Sequence, residues 1–227
     1  MDNLSQVICP ESTVANRTIN RQPVKKRISF LAVALLLLQV PTFGQAIIYD
    51  ILLAGRAVGE LTIAPVRGSD GSENLRVRGA IDTFLYDVVY VGENRFEKGV
   101  LKTALSSQEV NGKLKEKTNT VQTSDTYHVT FADAKSTAKE TTRVPHPINH
   151  TVTSLYYREP VNLKQIYSDR FGKMCPILKV GTSAYEVVMP DGKKTRYTYA
   201  DGQCREVQSE IVGINLIFRL RADSVGQ

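Results

Sequence analysis

From Ala46 onward the chain alternates apolar and polar residues with a period of two. Leu61 and Ile63 alternate with Glu60 and Thr62, and Leu75, Val77 and Ile81 share one side while Arg76 and Arg78 occupy the other. Tyr127, Val129 and Phe131 repeat the pattern, as do Tyr185, Val187 and Met189. Ile214, Leu216, Phe218 and Leu220 close the series against Asn215, Arg219 and Arg221. Side chains of an extended strand point alternately to its two faces, so each run has one face to bury and one to wet. That is the pattern of an antiparallel sheet with a solvated side. Asp70-Gly71, Asn111-Gly112, Asp191-Gly192 and Asp201-Gly202 interrupt the runs, and such dipeptides supply the positive φ of tight hairpins.

One interruption reads as a short helix near 149–158. After Pro145-His146-Pro147, the residues Ile148, Val152, Leu155 and Tyr156 fall at helical spacing, Asn149 or Thr151 can cap the start, and Glu159-Pro160 ends it. The helix divides about eight expected strands from about five and is expected to brace one end of a single domain.

The front of the chain has a different character. Lys25-Lys26-Arg27 precedes the apolar run Ile28 to Val40, 13 residues long, and Pro41 and the small residues Thr42 and Gly44 follow. A basic flank, a short apolar core and small residues before a polar one make the three-part pattern of a secretory signal. A spanning helix needs about 20 apolar residues, so no permanent membrane span is expected. Residues 25–44 are read as the signal, 45–227 as one antiparallel β domain, and 1–24 as a polar leader that reads as a start-site artefact. The expected location is periplasmic or secreted.

Composition narrows the partners. The formal charge is +6, but the first 44 residues hold five basic and two acidic residues, which leaves +3 for the remaining 183. That mild excess implies no nucleic-acid surface. Cys175 and Cys204 remain after removal of the front segment, 29 positions apart. An oxidising compartment permits a disulfide between them, and two buried thiols are the alternative.

Motifs for chemistry are sparse. His146 and His150 are four apart but Pro147 stands between them, and His128 lies on the polar side of a strand, so no metal site is expected. There is no strained nucleophile elbow and no metalloprotease helix motif. Asp191-Gly192-Lys193-Lys194-Thr195 reads as a hairpin, not a phosphate loop. Asp82, Asp87, Glu93 and Glu97 supply carboxylates that sequence alone cannot pair across strands. The reading therefore leans away from an enzyme and expects no cofactor. Tyr156 and Tyr157 on the helix, with Tyr167, Tyr185, Tyr197 and Tyr199 after it, either line an apolar groove or simply suit half-buried strands.

The stretch Tyr49-Asp50-Ile51-Leu52-Leu53-Ala54-Gly55-Arg56-Ala57-Val58-Gly59-Glu60 resembles the opening of an uncharacterised exported bacterial family, Bacteroidetes-like, of unknown function. Leu155-Tyr156-Tyr157-Arg158-Glu159-Pro160, Phe171-Gly172, Pro190-Asp191-Gly192, Tyr197-Thr198-Tyr199 and Gly202 are similar to it as well. The resemblance implies a mainly β fold, a curved, partly closed antiparallel sheet (a β-roll or half-barrel), and a place in the cell envelope. It implies no catalytic residues. More distantly the architecture is similar to lipoprotein-carrier folds. Three functions follow as expectations. The first is a non-catalytic protein that binds lipid or another apolar or amphipathic ligand beside Val152, Tyr156 and Tyr157. The second is a structural module that engages an envelope protein partner, and the third is an enzyme with dispersed carboxylates or histidines.

Overall fold

The computed structural model describes residues 46–124, 126–133, 141–145, 147–211 and 213–222. The segments read from the sequence as a leader (1–24) and a secretory signal (25–44), together with His146, lie outside these residues. No helix among the described residues is long and apolar enough to cross a membrane.

Among the described residues, fourteen antiparallel strands form one sheet. Before the crossover come β1 (Ile47–Leu53), β2 (Arg56–Arg67), β3 (Ser72–Asp82), β4 (Asp87–Glu97), β5 (Val100–Val110), β6 (Lys113–Thr123), β7 (Thr126–Asp133) and β8 (Thr141–Pro145). After it come β9 (Gln165–Ser168), β10 (Lys173–Gly181), β11 (Ala184–Val188), β12 (Lys194–Ala200), β13 (Gln203–Ile211) and β14 (Ile214–Leu220). Each half is a meander, so every strand pairs with its neighbours in sequence. The halves join where β1 pairs β14, with Tyr49 opposite Leu220 and Ile51 opposite Phe218. Both ends of the domain thus lie at the centre of the sheet. The end strands, β8 and β9, do not pair with each other, so the sheet is curled but not closed into a barrel.

The alternation read from the sequence is what bends the sheet around one apolar face. β3 buries Ser72, Leu75, Val77, Gly79 and Ile81, while Arg76, Arg78 and Asp82 are exposed. Ile63 of β2, Val77 of β3, Ile177 of β10 and Val187 of β11 belong to one buried cluster although many strands separate them in the sheet, which requires strong curvature. Curvature of this kind goes with β-bulges, and register shifts occur at Ile51/Leu52, Arg95/Phe96, Gln108/Glu109 and Thr198/Tyr199. At Asn111-Gly112 both residues adopt positive φ, the backbone form of a two-residue hairpin whose twist matches its strands. Lys98-Gly99 does the same without the Asn or Asp that would have announced it.

The segment 147–164 carries the chain from β8 to β9 across the concave face. The helix expected over 149–158 is a single 3-10 turn, Thr153–Tyr156. Thr151 already bridges Tyr167 of β9 in strand fashion, with Val152 N donating to Tyr167 O at 2.8 Å and Tyr167 N to His150 O at 3.2 Å. Those backbone bonds leave only Thr153 to Arg158 free to coil. They also cover the outer edge of β9, which would otherwise be an open template for pairing.

The disulfide is corrected by the structure. Cys175 and Cys204 are both buried and both free. Cys175 lies on β10 and Cys204 on β13, with β11 and β12 between them. Three steps of about 4.8 Å across the sheet exceed the Cα separation of about 7 Å that a bridge can span. Burial pushes the Cys175 thiol up to about 11 and the Cys204 thiol up to about 12, so both are protonated and inert at neutral pH.

Candidate functional site

The 3-10 turn does not fill the concave face. Beneath it lies a partly open cavity of about 130 Å³. Its apolar walls come from both halves of the sheet: Ile51, Leu61, Val77 and Val88 from the first, Tyr197 and Phe218 from the second. Val152, Thr153 and Tyr156 form the roof. Tyr156 sits deep in the fold, where burial raises its phenol well above the ordinary range. Even so, it keeps part of its surface uncovered, because one flank of the ring faces the cavity. Its other contacts are edge-on, to Tyr49 at 5.5 Å, Tyr197 at 5.9 Å and Phe218 at 6.4 Å between ring centroids. Such pairs add about 0.5–1.5 kcal/mol each beyond simple burial and fix the ring.

Two tyrosine hydroxyls hold the roof in place. Tyr199 donates to Leu155 O at 2.6 Å, and Tyr49 donates to Cys204 O at 2.9 Å and approaches Tyr156 O at 3.2 Å. Satisfying buried carbonyls in this way lets an irregular segment lie inside the sheet without orphaned backbone groups.

At the inner end the walls become polar. Asp169, in the turn between β9 and β10, is buried and closes a ring of hydrogen bonds. Asn94 Nδ2 donates to Asp169 Oδ1 at 2.9 Å, Thr153 N donates to Asp169 Oδ2 at 3.1 Å, and Thr151 Oγ1 donates to Asn94 Oδ1 at 2.6 Å. The ring ties β4, the β9–β10 turn and the crossover together. Removal from water pushes the Asp169 carboxyl above the ordinary carboxylate range, against the pull of the bonds from Thr153 and Asn94. Thr153 Oγ1 faces both Tyr90 and Asp169 but meets hydrogen-bond geometry with neither, and it is buried. Part of the rim is charged: Asp191 is exposed, and Lys193 Nζ lies 2.7 Å from Glu210 Oε1.

Of the residues singled out from the sequence, Val152 and Tyr156 border the cavity and Tyr157 does not. Tyr157 packs against a second buried cluster, and its hydroxyl accepts from Arg67 Nη2 at 3.2 Å near the surface. Adjacent residues of a helical turn point about 100–120° apart, so the two tyrosines face different surroundings. Asp169 and Asn94 were not singled out, and Thr151 was read only as a cap, a role it has in accepting from Ser154 N at 3.1 Å. The available signal was Ser168-Asp169 continuing directly from the buried Ile166-Tyr167 before the Gly172 turn. The carboxylates that were named are dispersed: Glu93 pairs with Arg76 on the outer face, and Asp87 lies at an exposed strand end. His150 is half-buried, and desolvation lowers its pKa. Among the described residues no group of three or more His, Cys, Asp or Glu is placed to hold a metal ion.

Residues 49–221 match the model of a family described as a domain of unknown function (DUF6134), and the chain belongs to that family. No curated protein matches it. Among solved structures it is similar to the crystal structure of a beta-barrel-like protein of domain of unknown function DUF1849 from Brucella abortus. The identity is 11% and the TM-score 0.45, over 80% of this chain and 97% of that chain. Neither comparison points to a Bacteroidetes-like source.

Proposed function

We propose that this protein is an exported, non-catalytic binding protein that holds an apolar or amphipathic small molecule between the curled sheet and the crossover. The observation that carries the reading is the cavity, walled by both meanders and roofed by Val152 and Tyr156. Buried apolar surface of this kind is ordinarily filled by side chains, because unfilled space forfeits packing contacts. A partly open cavity with apolar walls, a few convergent polar groups and a charged rim is the usual form of a small-molecule site. Export to the periplasm or beyond rests on the basic-apolar-small pattern of residues 25–44. The test is to isolate the protein from the envelope fraction of expressing cells, extract it with organic solvent and analyse the extract by mass spectrometry. A stoichiometric apolar molecule supports the reading. Ligand-free protein with no affinity for apolar probes counts against it.

A second reading, docking onto an envelope partner, is favoured by one observation. Phe84 and Leu85, at the tip between β3 and β4, are 101% and 69% exposed. Two adjacent large apolar side chains in water are unusual at a hairpin tip. Cross-linking from position 84 in whole cells should capture a discrete partner under that reading, and would leave the protein uncoupled under the first.

A further inference from the structure

The polar end of the cavity says more about the ligand than its apolar walls do, given the binding reading above. Thr153 is 3% exposed, lines the cavity, and carries a hydroxyl with no hydrogen-bond partner. Leaving such a group unsatisfied costs about 1–3 kcal/mol, and native structures contain few of them. The position is enforced. Thr153 N is held by Asp169 Oδ2, and Asp169 Oδ1 is held by Asn94, so the backbone that carries the hydroxyl is fixed to the ring. Gly92 keeps the space open, because a Cβ there would meet Tyr90 Oη at 3.0 Å and Thr153 Oγ1 at 3.2 Å.

The available bonding at this end is mixed. Each Asp169 oxygen accepts one bond from the protein, and a carboxylate offers about four acceptor sites. Thr153 brings a hydroxyl hydrogen, and the Tyr90 hydroxyl, which faces Ser106 as well as Thr153, lies beside it. The two basic residues that line the cavity are already engaged, Arg170 with Glu116 and Lys193 with Glu210. A carboxylate ligand would therefore meet the like charge of Asp169, with both lining cations already paired to carboxylates. An ammonium ligand would bring only donors and could not accept from the Thr153 hydroxyl, which has no partner. An alcohol donates one bond and accepts others, and it matches both sides.

We propose that Thr153, Asp169 and Tyr90 form a hydroxyl-recognition end, and that the ligand is a neutral alcohol whose apolar body lies against Val77 and Tyr156. The volume of about 130 Å³ is near that of apolar cavities of about 150 Å³ that admit benzene. It accommodates the hydroxyl and a short adjoining segment, and the rest of a longer ligand passes out by the charged rim.

The test compares one chain length with four headgroups. The intact protein is titrated at pH 8 with 1-octanol, octanoate, octylamine and 1-chlorooctane, followed by NMR shifts of the cavity-lining methyl groups. Octanol should bind at least about fivefold more tightly than the other three, the worth of one net hydrogen bond. Thr153→Val should abolish that advantage while chlorooctane still binds, which also reports that the variant is folded, and Thr153→Ser should restore it. Octanoate or octylamine binding as tightly as octanol overturns the proposal, and so does an octanol affinity that Thr153→Val leaves intact. Chlorooctane binding without preference for octanol sinks hydroxyl recognition alone. Binding by none of the four sinks the cavity reading with it.

Discussion

Around Tyr127 and around Tyr156 the same sheet treats its tyrosines in two ways. Tyr127 is fully buried among Leu101, Val129 and Ile148, its hydroxyl donates to Leu101 O at 2.8 Å and accepts from Ile148 N at 3.3 Å, and no wall of the cavity comes from this cluster. Tyr167 beside it bonds Thr120 at 2.7 Å. Tyr156 lies in the other cluster, gripped by three rings on its edges, and looks into open space. The first arrangement joins the crossover to β5 and β7, and the second suspends the crossover above a void. A sheet that only needed to fold would gain by packing both ends alike, so the unfilled end is where function is to be sought.

The largest expected effect separates the clusters by truncation. Tyr127→Ala should cost about 4 kcal/mol, as for other fully buried aromatics. Tyr156→Ala should cost about half of that, since one flank has no packing to lose. Chemical denaturation measures both, and equal losses would erase the distinction. Enlargement gives the next contrast. Val129 is fully buried, and a Cβ at Gly172 would already stand 2.5 Å from it. Val129→Ile should therefore cost about 1–3 kcal/mol through overpacking, while Val77→Ile, which grows into the cavity, should be neutral or stabilising.

Asp169 sharpens the comparison through pH. Its folded pKa is raised by burial, so between the ordinary carboxylate range and that raised value the folded state binds more protons than the unfolded one. Stability should fall as pH rises through this window, by up to about 1.4 kcal/mol per pH unit. Asp169→Asn keeps the shape of the protonated acid and should remove this component from the stability profile. An unchanged difference between the two profiles from pH 4 upward would refute the assignment. The smallest effect concerns the cysteines. As two free thiols, Cys175→Ala and Cys204→Ala should each cost about 1 kcal/mol and add in the double variant. A bridge would instead make either single variant as damaging as both together.

The sheet itself was legible because each strand has a wet face: Arg76 and Arg78 against Leu75 and Val77 state their orientation in the residues. The hairpins at Asn111-Gly112 and Asp201-Gly202 were legible for a related reason, as both residues of each pair adopt positive φ. The helix was overestimated because the spacing of Ile148, Val152 and Leu155 suits several local structures. Only the backbone bonds of His150 and Val152 to Tyr167 show that the segment begins as a strand partner. The polar ring escaped notice because Asn94, Thr151 and Asp169 stand far apart in the chain and break no period. Their meeting depends on the curl of the sheet, which no local pattern records. The pairing of Cys175 with Cys204 failed for the same reason, since distance across a sheet is set by strand order.

The contrast between a packed cluster and an unfilled one is tested most directly by xenon-pressurised crystals of the protein, because xenon occupies apolar voids of this size. The account predicts one xenon site among Val77, Tyr156 and Phe218, and none among Leu101, Tyr127 and Val129. Xenon in both clusters, or side chains filling the space beneath Tyr156, would contradict it.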